Sequence, residues 1–61
     1  MSVTFENRGD TLTAVLKDGK QVGVITKSPT GQIGYSVFGT PHQGPAKNAE
    51  EARETVLRVL S

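Results

Sequence analysis

The chain has 61 residues, is 34 % hydrophobic and 5 % aromatic, lacks Trp and Cys, and carries a formal net charge of +1. That is enough for one small domain, 1–61, whose core is limited, and it excludes a disulfide framework, a thiolate metal site and a membrane-spanning run. With one His and no Cys, neither a structural metal nor a cofactor is expected, so association is the remaining support for so small a fold.

Val3-Thr4-Phe5-Glu6 alternates apolar with polar residues, as a short strand does. The residues from Met1 to Phe5 have neither the basic nor the apolar region of a signal peptide, and a cytoplasmic protein is expected. Asn7-Arg8-Gly9-Asp10 has turn chemistry. A four-residue hairpin here pairs Glu6 with Thr11, Phe5 with Leu12 and Val3 with Ala14. Arg8-Gly9-Asp10 spells the tripeptide that integrins recognise, but Gly-Asp is ordinary turn chemistry and is read as a turn.

Strands follow over 11–17, 20–27 and 32–38, rich in Val, Thr, Ile, Tyr and Phe. Asp18-Gly19 favours the positive φ of a type I′ turn, which pairs Lys17 with Lys20, Val15 with Val22 and Thr13 with Val24. Pro29-Thr30-Gly31 marks the next turn, pairing Lys27 with Gln32, Val24 with Tyr35 and Val22 with Val37. Residues 39–47, punctuated by Pro41, Gly44 and Pro45, read as a loop. Asn48 is a good N-cap, with Glu51 at the capping-box position. The helix that follows carries Ala49, Ala52, Val56, Val59 and Leu60 on one side and Leu57 on its flank. The expected fold is α+β: a three- to four-stranded antiparallel meander followed by one C-terminal helix packed on one face, β-β-β-β-α.

These registers make both sheet faces apolar, although one helix can cover only one. The face bearing Val3, Phe5, Leu12, Leu16, Ile25 and Phe38 around Ala14, Gly23, Gly34 and Ser36 reads as the core. The opposite face carries Val15, Val22, Val24, Ile33, Tyr35 and Val37, rimmed by Thr11, Thr13 and Thr26. An open β-branched face of this size points to a partner.

Catalytic chemistry has little to build on. His42 has no orienting carboxylate or nucleophile nearby in its loop and reads as a solvated residue. Glu50 and Glu54 share a helix face and read as solvated carboxylates. No phosphate-loop spacing is present. Lys17, Lys20 and Lys27 flank the Val/Tyr face and are the residues a nucleic acid would meet, but they are fewer than an interface of many phosphates needs. Arg53 lies beside Leu57 and Leu60, where its stem covers apolar surface.

The stretch from Thr30 to Leu60 resembles the core of HicB-type antitoxins. The residues that carry the likeness are Gly31-Gln32-Ile33-Gly34-Tyr35-Ser36-Val37, the Pro/Gly loop, and the helix opening Glu50-Glu51-Ala52. The resemblance implies a β-rich domain with a packed helix that dimerises and neutralises a small ribonuclease toxin by binding it. It assigns no residue a role. The expected function is non-enzymatic: an interaction or assembly module that self-associates, as a homodimer, or binds a protein partner through its open sheet face. The alternative is a small nucleic-acid-binding or toxin–antitoxin regulator.

Overall fold

The computed structural model describes residues 2–61; Met1, the start of the segment read for a signal peptide, lies outside them. Among the described residues are five strands, β1 (Val3–Asn7), β2 (Leu12–Lys17), β3 (Lys20–Lys27), β4 (Ile33–Val37) and β5 (Gln43–Ala46), and one helix, α1 (Ala49–Leu60). The fold is α+β. The strands form one antiparallel sheet in the order β1-β2-β3-β4-β5, and the helix packs on one face of it.

The fifth strand lies in 39–47, which the sequence presents as a loop. Thr40 Oγ1 donates to Val37 O at 2.9 Å and accepts from His42 N at 3.2 Å, and Gly39 takes φ 75°. This tight turn returns the chain to β4, where Val37 N donates to His42 O at 3.0 Å. Alternation then points the backbone of Pro45 away from β4, so its missing N–H costs no ladder bond.

Asp18 and Gly19 form the two-residue turn their chemistry implies, with φ 53° and 85° and Lys17 opposite Lys20. The register then departs from the simple hairpin. Leu16 pairs with Gln21 but Val15 pairs with Gly23, so Val22 is an extra residue, a β-bulge. Pro29-Thr30-Gly31 closes a three-residue loop with Gly31 at φ 91°, and Ser28 N donates to Gln32 O at 2.8 Å. Lys27 therefore pairs with Ile33 rather than Gln32. The first turn is also differently closed. Arg8 N donates to Leu12 O, and Phe5 stands opposite Val15 instead of Leu12.

A one-residue slip exchanges the faces of a strand. Relative to β2, both β1 and β3 are turned over from the expected arrangement, and the helix takes the face expected to be open. The core is Val15, Ile25, Val37, Ala52 and Val56, with Val3, Phe5, Val22, Ile33, Tyr35, Ala46, Val59 and Leu60 packed against it. Burying one such Val or Ile side chain contributes about 1.5–3 kcal/mol. Gly23 lies in the centre of this layer because a Cβ there would sit 2.7 Å from Ser36 O.

The helix starts at the N-cap and carries the buried stripe that its sequence cues imply. Asn48 is extended at φ −156°, and its side chain accepts from Glu51 N at 2.8 Å. Ala52 and Val56 are its fully buried residues. At the other end Lys17 Nζ donates to Leu60 O at 3.4 Å, placing a cation at the negative helix terminus. No helix among the described residues is long and apolar enough to cross a membrane.

Candidate functional site

The residues expected to meet a partner are divided by the observed register. Val15, Val22, Ile33, Tyr35 and Val37 belong to the layer beneath the helix. Val24 alone remains on the uncovered face, paired with Ala14 on one side and Ser36 on the other. The physical reason is the Val22 bulge, which turns the later residues of β3 over relative to β2, while the shorter β3–β4 loop returns Ile33, Tyr35 and Val37 to the side of Val15.

The uncovered face is mixed, with apolar Leu12, Leu16 and Val24 at its centre and polar residues among them. Three cross-strand rows compose it. The middle row runs Glu6, Ala14, Val24, Ser36, Gln43, and one flanking row runs Leu12, Thr26, Gly34, Pro45. The other places Leu16 between Thr4 and Gln21. Leu12 is 37 % exposed, and Phe38, just past the end of β4, is 51 % exposed. Leu16 and Val24 are half-buried. Ala14 is fully buried although no helix lies over it, sunk between Leu12 and Leu16 along its strand and between Glu6 and Val24 across it. The result is a shallow floor of Ala14, Gly34 and Ser36 bordered by Leu12, Leu16 and Val24 and, toward the edges, by the polar Glu6, Thr26 and Gln43.

Leu12, Leu16 and Phe38 are therefore the residues that sequence reasoning placed in the core and that the fold leaves outside it. The pointer to them was Gly23. A glycine within a strand marks a bulge or a close backbone approach, and here it stands beside one and makes the other.

The three lysines do not form one patch. Lys17 and Lys20 face each other at the Asp18–Gly19 turn, and Lys27 lies at the far end of the 8-residue β3, roughly 23 Å away at the usual rise per residue. Lys17 is engaged with the helix terminus. His42 is exposed at the entry to β5, and its backbone carbonyl rather than its ring makes the ladder contact. Arg8 Nε lies 3.3 Å from Glu6 Oε1 in an exposed pair, and Gly9 takes φ 132° in the turn. Such surface pairs contribute little. Among the described residues no three of His, Cys, Asp and Glu are grouped to hold a metal.

A second apolar surface lies beside the helix. Val3, Leu57 and Leu60, with Glu54 and Arg58 on the rim, line an open groove between β1 and α1. Leu57 is 40 % exposed there. Further along β1, the Arg53 guanidinium carbon lies 5.9 Å from the centre of the Phe5 ring. No family model, curated protein or solved structure matches the chain.

Proposed function

We propose that the chain is a non-enzymatic, cytoplasmic interaction module that binds a protein partner, or a second copy of itself, through the uncovered sheet face. The observation that supports this reading is the exposure of Leu12 and Phe38 beside Leu16 and Val24 on a sheet face that no element among the described residues covers. A sheet face with an apolar centre, a floor of small side chains and a polar border suits a helix or a second sheet, with Leu12, Leu16, Val24 and Phe38 supplying the apolar contact area. The likeness of Thr30 to Leu60 to HicB-type antitoxin cores adds a small toxin to the partners that this face would take.

Sedimentation across a concentration series tests self-association by this face. Val24→Lys and Leu12→Lys place charge on the patch without touching the helix-side core, and each is expected to remove whatever association this face makes, with the monomer still folded. A mass unchanged in both variants removes the face from self-association. Salt separates this reading from phosphate contact by Lys17, Lys20 and Lys27, because apolar association survives moderate salt whereas phosphate binding weakens steeply.

A further inference from the structure

The two edges of the sheet are unlike. Ladder bonds define which way each edge strand points its backbone. Arg8 N donates to Leu12 O, and Asp18 N donates to Ser2 O, so the even residues of β1 bond inward to β2. By alternation, the N–H and C=O groups of Val3, Phe5 and Asn7 point outward. On the other edge, the outward groups of β5 belong to Gln43 and Pro45, and Pro45 has no N–H to offer. A short strand with an outward Pro is a blunted edge, while β1 carries neither Pro, Lys nor a bulge. The groove lined by Val3, Leu57 and Leu60 runs beside this unblunted edge.

We propose that β1 pairs antiparallel with β1 of a second copy of this chain, Val3 of each opposite Phe5 of the other. This goes beyond the face reading, because it uses a different surface. Outward groups must meet outward groups, which restricts the pairing to a few registers. Glu6 opposite Glu6 puts like charges together. Phe5 opposite Phe5 brings together two Arg53 side chains, since each lies over its own Phe5. Val3 opposite Phe5 avoids both, overlaps more of β1 than Val3 opposite Val3 would, and places Thr4 opposite Thr4 at the two-fold axis. The axis stands perpendicular to the sheet, so both helices lie on the same side of a continuous ten-stranded sheet.

Phe5 of the second copy enters beside Val3 at the groove lined by Leu57 and Leu60, and it brings its overlying Arg53 to the rim that Glu54 shares with Arg58. Glu54 is the acid on that rim, so it is the group that the incoming Arg53 would pair with, against the like charge of Arg58. The symmetry repeats the contact, as an isologous interface requires. A foreign strand would supply the backbone groups but not the same Phe5 and Arg53 at both grooves.

The test is sedimentation together with amide exchange. Val3→Pro removes an outward donor and leaves the β1–β2 ladder intact, and it is expected to weaken the dimer about tenfold or more. Glu54→Arg is expected to weaken it, and Arg53→Glu combined with Glu54→Arg to restore it. In the unmodified protein the Val3 and Phe5 amides are expected to slow as concentration rises, while the Gln43 amide does not, and this readout decides should Val3→Pro fail to fold. A protein that remains monomeric at high micromolar concentration overturns the proposal. So does a dimer whose Val3 and Phe5 amides exchange as fast as Gln43. A dimer dissolved by Val24→Lys but not by Val3→Pro assigns self-association to the sheet face instead, and the reverse pattern assigns it to the edge.

Discussion

Val15 stands opposite Gly23 across the β2–β3 hairpin, and Val22 beside it is the bulged residue. This one relationship decides which apolar face the helix covers. It also makes Gly23 a packing requirement, because the Ser36 carbonyl occupies the space its Cβ would need.

Gly23→Ala is expected to destabilise the fold by about 1–3 kcal/mol, the usual cost of overpacking a close contact. Gly34→Ala is the control. Its Cβ would meet nothing closer than 3.5 Å, so the substitution is expected to be near neutral. Urea unfolding of the two variants measures the difference, and equal costs would contradict the close approach at Gly23.

Val37 is 3 % exposed beneath the helix and Phe38 is 51 % exposed beyond it. Val37→Ala is therefore expected to cost about 2 kcal/mol, from two buried carbon groups and a partly collapsed cavity. Phe38→Ala is expected to cost about 1 kcal/mol or less, although it removes far more atoms. Chemical denaturation with each variant checks the order of the two effects.

Asn48→Ala removes the side-chain acceptor for Glu51 N. The expected loss is about 1 kcal/mol. Asn48→Asp keeps an acceptor at the positive end of the helix dipole and is expected to retain most of the stability. Unfolding midpoints of the two variants separate capping from a general intolerance of change at this position.

Gly19 takes φ 85° in the two-residue turn, where a β-branched side chain is strained. Gly19→Val is expected to lower stability by about 1–2 kcal/mol. Nothing lies within 4 Å of the added Cβ, so the effect would be one of backbone conformation. Gly19→Asn, which tolerates positive φ, is expected to recover much of the loss in the same measurement.

The helix was legible because independent cues agree on it: an Asn N-cap, early Glu residues, a 3.6-residue apolar stripe and a late Arg. The Asp18–Gly19 turn was legible because positive φ is chemically selective. The register beyond it was not. Gln21-Val22-Gly23-Val24 presents a valine to either face, so alternation cannot show where a residue has been inserted. The same ambiguity hid the bare face, since its Leu12, Leu16 and Phe38 are as apolar as the Val15 and Val37 that the helix covers. Gln43-Gly44-Pro45-Ala46 has loop composition and becomes a strand only because its proline sits on an edge, a tertiary circumstance.

Every ladder in this sheet joins strands adjacent in sequence, and the covering helix comes last. The closing loops are therefore short, and such local topology favours rapid folding. During synthesis the hairpins can close in the order in which they are made. Until residues 49–60 have left the ribosome, however, Val15, Ile25 and Val37 lack Ala52 and Val56, and the nascent sheet is apolar on both sides. A chain interrupted before residue 49 would thus be a candidate for aggregation or chaperone capture, its vulnerability set by the order of translation.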